Sequence, residues 1–314
     1  MRVLIAENSH ANYAELLKSA LSASSQPLEL VGSNDPQGLP ALAADCQIWL
    51  GQPDLLTGLL REGLKPQWLQ STWAGITPLL ADGLPRDYLL SRAVGIFGQV
   101  MAEYVLCHML AHERQVFAQQ AAQAEQHWRG ELPHSLAGRR VLVVGCGDIG
   151  HSVAQFLAPF AVELFGIASQ AREQAPFIEV AAISELARMA AQADYLINLL
   201  PDTPATHDIY DAKLFAQLKP SAVFINAGRG AAVVDTALVN ALQTEQLAAA
   251  VIDVCRVEPL PAGHMFWTAP RLLLTGHSSA PTQPALMAEL FVSNLQRFKA
   301  GQRLQGQVDF PRGY

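Results

Sequence analysis

Three residues of this chain carry side chains able to do acid, base or anion chemistry in settings that set them apart. Arg229 stands in "NAGRGAA", one long cation among the smallest residues available. Glu258 precedes "PLP", and His277 lies within "TGHSSAP". A guanidinium grips a carboxylate through two parallel hydrogen bonds and polarises a neighbouring carbonyl. An imidazole gives or takes a proton near neutral pH. A glutamate bonded to its other ring nitrogen fixes the tautomer and raises the histidine pKa. Together they compose a mechanism in which a carboxylate and its adjacent carbonyl are held, a proton moves at the carbonyl oxygen, and a nicotinamide cofactor supplies or accepts the hydride. Singly, each has a plain reading: a loop arginine, an exposed acid in a turn, a satisfied buried histidine. Position joins them, because the three follow successive expected strands ending at Asn226, Val254 and Thr275. Open α/β sheets bind ligands beyond the carboxyl ends of their strands. The small residues around Arg229 are expected to let cofactor and substrate approach the backbone.

A second motif supplies the cofactor site. "VLVVGCGDIGHSVA" places Gly145, Gly147 and Gly150 in the G-x-G-x-x-G spacing, after an apolar strand and at the opening of a helix. The first glycine makes the tight turn, the second admits pyrophosphate, and the third lets helix and strand pack closely. Asp148 and Ile149 complete the turn, and the helix N-terminus offers a positive pole to the phosphates. The acid that usually follows about 20 residues on, to hold the ribose 2′-hydroxyl, is missing from Gly166 to Ala171. Ser169 stands there with Arg172 close by, and a cation suits a 2′-phosphate. This favours NADP(H) and leaves NAD(H) open, since Arg172 also reads as a solvated loop residue.

The elements that must position these groups follow a βαβ rhythm. In the first third, "RVLIAE", "LELVG", "QIWLG" and "WLQSTWAG" read as strands, with helical spacing over Asn12 to Ala23. A long helix is expected over roughly Gln99 to Gln126. A second series of strands begins at Val141 and continues at Val162–Ile167, Ile178–Val180, Tyr195–Leu199, Ala222–Ile225, Ala249–Val254 and Leu272–Thr275. A last helix spans roughly Ala285 to Ala300 and is free to pack back on the first domain. Strands separated by helices imply parallel sheets. The expected fold is therefore α/β, with two doubly wound parallel-sheet domains.

Composition narrows the classes. With 314 residues, half of them hydrophobic, the chain is long enough for two buried cores. Its net charge of −7 gives no broad basic face for nucleic acid. No apolar run approaches the ~20 residues of a membrane span, and the four-residue run after Arg2 is short for a signal peptide. Cys46, Cys107, Cys146 and Cys255 form no C-x-x-C pair; they read as buried thiols of a reducing, cytoplasmic compartment rather than as metal ligands.

With "VVGCGDIG", "LLPDTPAT", "FINAGRG", "DVCRVEPLP" and "TGHSSAPT" in that order, nearly the whole chain resembles the D-isomer-specific 2-hydroxyacid dehydrogenase family. Within it, "STWAGI", "GIFGQVMAEYVL" and "TGHSSAP" resemble the glyoxylate/hydroxypyruvate reductases of the bacterial A type, which tend to prefer NADPH. The resemblance implies that Arg229, Glu258 and His277 are the catalytic three. It implies that Asp253 holds the nicotinamide carboxamide, that Leu200, Pro201 and Thr206 line the adenosine side, and that Ala227 lies at the cofactor. The loop Trp73, Ala74, Gly75 and Ile76 would offer backbone N–H groups to the substrate carboxylate. A catalytic domain of residues 1–97 and 283–314 would enclose an inserted cofactor domain of residues 98–282, with the long helix at a homodimer interface. The sequence departs from the family in having bulky Trp73 in the substrate loop and Thr77 where an aspartate is common. Trp73 either narrows the pocket toward small 2-keto acids or packs in the core. The reading from a different class is a dinucleotide-binding sensor or co-repressor-like scaffold with little turnover.

Overall fold

Short apolar runs bounded by glycines and polar turns become strands covered on both faces, and this decides the architecture. The structure, a computed structural model, describes residues 1–22 and 28–313. Ala23, the expected end of the first helix, and Tyr314, the last residue of the expected catalytic domain, lie outside the described residues. The chain divides into two compact units, Met1–Ile96 with Thr282–Tyr314, and Phe97–Pro281.

The first unit is built on β1 (Arg2–Ala6), α1 (His10–Leu21), β2 (Glu29–Ser33), α2 (Leu39–Ala43), β3 (Ile48–Gly51), α3 (Pro53–Arg61), β4 (Trp68–Ser71) and β5 (Leu89–Ser91). Its sheet is parallel throughout, in the order β2-β1-β3-β4-β5. Alternate residues feed two cores: Leu4, Trp49 and Leu69 join Leu39, Leu56 and Leu59 on one face. On the other, Trp68 stacks on Phe291 at 5.1 Å, so the C-terminal helix Pro284–Lys299 belongs to this unit. Burying an indole removes roughly 150–250 Å² from water, on the order of 4–6 kcal/mol before ordering costs. Asn294, fully buried, ties that helix to the sheet by donating to Gln70 Oε1 at 2.8 Å.

The second unit follows with α4 (Gly98–Glu113), α5 (Val116–Ala124), β6 (Arg140–Val144), α6 (Asp148–Leu157), β7 (Glu163–Ala168), β8 (Glu179–Ala182), α7 (Leu186–Ala190), β9 (Tyr195–Asn198), α8 (Ala212–Phe215), β10 (Val223–Asn226), α9 (Asp235–Gln243), β11 (Ala249–Ile252) and β12 (Leu272–Leu274). Seven parallel strands run in the order β12-β11-β10-β9-β6-β7-β8. Val141 and Val143 of β6 face α4 and α6, while Leu142 and Val144 face α7, α8 and α9. The order reverses between β6 and β9, which puts the glycine turn after β6 at the switch point.

Three expectations need correction. The long helix is two helices, because Gln115 turns left-handed at φ 54° and breaks the hydrogen-bond ladder. No glycine or proline marks the break. Tertiary ties hold the end of α4 instead, as buried Glu113 accepts from Arg139 and, at 2.8 Å, from the Tyr195 hydroxyl. The strand expected through Gly75 stops at Ser71, whose hydroxyl accepts from the Trp73 N–H at 3.0 Å and diverts the chain. The three-residue strand β5 carries too little pattern to be read from sequence. Of the four cysteines expected to be buried, Cys46 and Cys146 are, whereas Cys255 is half-buried and Cys107, on α4, is exposed. Among the described residues, no helix is long and apolar enough to cross a membrane.

Candidate active site

The glycine turn has the shape a pyrophosphate requires. Gly145 adopts φ 107°, and a Cβ there would sit 2.8 Å from the Leu199 carbonyl oxygen. At Gly150 a Cβ would lie 2.1 Å from the Gly145 carbonyl oxygen, so helix α6 starts as close to the turn as backbone allows. Around Gly147 there is open space, and Asp148 and Ile149 begin the ten-residue helix behind it. Ser169 directly follows β7 and is exposed. Arg172 reaches back to the turn, where Nη2 donates to the Cys146 carbonyl at 2.6 Å. The cation and the glycine turn are thus neighbours. These residues fit a dinucleotide with its phosphates on the turn.

The loop after β9 is closed by Thr206. Its hydroxyl donates to Pro201 O at 2.8 Å and accepts from Thr203 N–H at 3.0 Å, curling Leu200–Thr206 into a compact wall. Two buried asparagines that the sequence reading passed over connect this wall to the arginine loop. Asn198 Nδ2 donates to Asn226 Oδ1 at 2.8 Å, while Asn198 Oδ1 accepts from Leu200 N–H and from the Tyr210 hydroxyl, each at 3.1 Å. Asn226 Oδ1 also accepts from Gly228 N–H, and its Nδ2 donates to the Arg229 carbonyl. Their sequence signal is a polar residue inside one apolar run, Asn198 between Ile197 and Leu199, and another at the end of a run, Asn226 after Ile225.

The structure gives the glycines beside Arg229 a packing reason of their own. A Cβ on Gly228 would sit 2.9 Å from Leu200 N, and one on Gly230 only 2.0 Å from the Cys255 carbonyl carbon. Ala227 is buried in the core, leaving its main chain as the part able to meet a ligand. These positions are small because neighbouring loops of the protein press on them. Arg229 itself is half-buried, and its Nη1 donates to Gly228 O at 2.6 Å.

Asp253, 2% exposed, organises the histidine loop. Its Oδ1 accepts from Thr275 Oγ1 at 2.7 Å and from Ser278 N–H at 2.8 Å, and its Oδ2 from Ser279 N–H at 3.2 Å. Its carbonyl accepts from His277 N–H at 2.6 Å. Because Thr275 spends its proton on Asp253, the Tyr104 hydroxyl is the donor in its 2.9 Å bond to Thr275. The clamp is needed, since His277 is held left-handed at φ 56°. That conformation costs a non-glycine residue roughly 1–3 kcal/mol unless its surroundings enforce it.

Glu258 and His277 meet in a 2.6 Å bond between Oε2 and Nδ1, and Glu258 Oε1 accepts from Cys255 N–H at 2.7 Å. The hydrogen bond to Glu258 raises the His277 pKa above its ordinary value, against the opposing effect of burial. Burial alone would lift Glu258. The bonds from His277 and Cys255, with the charges of His277 and Arg229, carry it below the usual range instead. Arg229 acts on both partners, so β10, β11 and β12, adjacent in the sheet, bring the three side chains into one electrostatic group.

Trp73 to Ile76 belong to the first unit. Ser71 Oγ also donates to Trp73 O at 3.1 Å, and that carbonyl accepts from Ala93 N–H. Trp73 is 37% exposed, so it does not pack in the core, whereas Ile76 does, leaving its main chain for any ligand. Among the described residues, no three His, Cys, Asp or Glu side chains group as a metal site.

Comparison with known proteins adds an independent line. Residues 106–279 match the family described as D-isomer specific 2-hydroxyacid dehydrogenase, NAD binding domain. The chain is 38% identical over 219 residues to glyoxylate/hydroxypyruvate reductase A of Serratia proteamaculans, covering 69% of each. It superimposes with a TM-score of 0.92 on a D-isomer specific 2-hydroxyacid dehydrogenase family protein from Aeromonas salmonicida, at 36% identity over 98% of this chain and 99% of that one. It is also similar, with a TM-score of 0.83 and 27% identity over 100% of this chain and 99% of the other, to an NADPH-dependent glyoxylate/hydroxypyruvate reductase from Sinorhizobium meliloti solved with NADP and sulfate.

Proposed function

The chain belongs to the D-isomer specific 2-hydroxyacid dehydrogenase family, and we propose that it reduces a small 2-keto acid of the glyoxylate/hydroxypyruvate type to the D-2-hydroxy acid with NADPH. The observation that carries this reading is the 2.6 Å bond between His277 Nδ1 and Glu258 Oε2, with the Arg229 charge acting on both groups. It leaves His277 Nε2 to serve the substrate. When bound, the nicotinamide cofactor supplies the hydride. His277, kept protonated to higher pH by Glu258, gives its Nε2 proton to the carbonyl oxygen as that oxygen gains charge. Arg229 draws the carboxylate and carbonyl oxygens toward its guanidinium and stabilises the developing oxyanion. The main-chain N–H groups of Trp73, Ala74, Gly75 and Ile76 hold the carboxylate.

The same proposal sets the phosphates on Gly145, Gly147 and Gly150, the 2′-phosphate at Ser169 and Arg172, and the adenosine against Leu200, Pro201 and Thr206. Ala227, through its main chain, and Asp253 take the nicotinamide end; the Asp253 carboxylate accepts two hydrogen bonds on Oδ1 and one on Oδ2, which keeps Oδ2 able to accept another. A homodimer is part of the reading, supported by Trp128 and Leu132, which are 92% and 86% exposed beyond α5; light scattering at the mass of one chain would contradict it. The deciding experiment is initial rates with glyoxylate, hydroxypyruvate and phenylpyruvate, with NADPH and NADH in parallel. Oxidation of NADPH by the two small acids is expected. Absence of turnover across a broad 2-keto acid panel, with NADPH still bound, would favour a dinucleotide sensor.

A further inference from the structure

The first unit contains a buried acid with no part in the chemistry above. Glu7 follows β1 where the strand order reverses, with β2 on one side and β3 on the other. Such switch points are where open α/β sheets receive ligands. Glu7 is 8% exposed, and burial raises its carboxyl pKa. A carboxyl in that position costs stability unless its oxygens are bonded. Its Oε1 accepts from Thr72 Oγ1 at 2.5 Å.

The two residues come from strands that are not neighbours. Ala6, Gly51 and Ser71 are in register across β1, β3 and β4, so Glu7 and Thr72 leave the sheet at one level with β3 between them. Two strand spacings amount to roughly 9–10 Å, within reach of a glutamate meeting a threonine. One residue before that level β3 ends in Gly51, where a Cβ would sit 2.2 Å from the Ala6 carbonyl oxygen, so β1 and β3 press together there; at the level itself stands Gln52, whose N–H donates to Ala6 O at 3.0 Å. Thr72 is also held elsewhere. Its N–H donates to Gly51 O at 3.0 Å, and its carbonyl accepts from Thr282 Oγ1 at 2.9 Å. The next residue is Trp73.

We propose that Glu7 is a positioning residue for the substrate loop, its bond to Thr72 setting the main-chain N–H groups of Trp73–Ile76 to receive the carboxylate. This rests on the proposed function of that loop. Glu7 does not touch substrate; it acts through Thr72, and its loss therefore appears in KM.

The test is steady-state kinetics together with amide hydrogen exchange. Glu7→Ala is expected to raise KM for the preferred 2-keto acid about 10-fold, the effect of one buried hydrogen bond to a carboxyl. The change in kcat should stay within about 3-fold, with NADPH affinity unmoved. Glu7→Gln restores KM, because the amide oxygen accepts the same bond. Thr72→Val removes the donor alone, and the double variant should be no worse than either single one. It also serves if Glu7→Ala fails to fold. Wild-type KM in both single variants overturns the inference. If the wild-type protein reduces no 2-keto acid, the proposed function fails instead. Exchange at the amides of Trp73–Ile76 then still decides: faster in both variants supports Glu7, and unchanged rates overturn it.

Discussion

The loop that carries His277 and the loop that carries Arg172 both leave carboxyl ends of the same sheet, yet they are built in opposite ways. The histidine loop is held by a buried carboxylate, by three main-chain hydrogen bonds to one residue, and by a relay from Tyr104 through Thr275. The Ser169–Arg172 segment is exposed and leans on the Cys146 carbonyl and the Val180 backbone. Chemistry that must place a proton within a fraction of an ångström calls for the first kind of support. Choosing between two cofactors that differ by one phosphate is served by a cation on a solvated segment, which tolerates substitution.

This contrast orders what substitutions should do. His277→Ala is expected to lower kcat by ~10²-fold or more, the loss of a general acid, while NADPH binding measured by fluorescence changes little; unaltered turnover would remove His277 from the chemistry. Arg229→Lys should raise KM for the 2-keto acid by about 10-fold or more, since an ammonium cannot reproduce the guanidinium fork. A KM that stays put would mean that another group holds the carboxylate. Arg172→Ala is expected to raise KM for NADPH several-fold, in line with a partly exposed charge-assisted bond, and to leave NADH unaffected. Equal effects on the two cofactors would place Arg172 on the shared pyrophosphate. The smallest change concerns pH. Glu258 raises the His277 pKa, so the proposed reduction, in which the ring gives up a proton, is expected to fall as pH rises through that raised value. Glu258→Gln removes the cause, and the fall in kcat/KM against pH should move to lower pH. A profile that does not move would assign it to another group.

Much of this was legible in the sequence because the signals were local. The apolar runs became parallel strands, and Gly145–Gly150 sits between a strand and a helix with the contacts that three glycines permit. Arg229, Glu258 and His277 were visible as reactive types after successive strands, and the fold puts those strands side by side. What escaped reading depends on partners distant in the chain. Gln115 breaks a helix with no breaker in its vicinity, and Asn198 and Asn226 acquire meaning only when their strands pair. The packing at Gly228 and Gly230 also escaped, because sequence does not show that Leu200 and Cys255 will press on them.

The placement of the three along the sheet has a further consequence. The glycine turn follows β6, a central strand, whereas His277 follows β12, a three-residue strand at the sheet's rim with half-buried side chains. Rim elements with few buried contacts open first under mild stress. The protein's two capacities therefore have different reserves. As temperature or denaturant rises, 2-keto acid reduction is expected to fail before NADPH binding does; loss of both at one midpoint would contradict this.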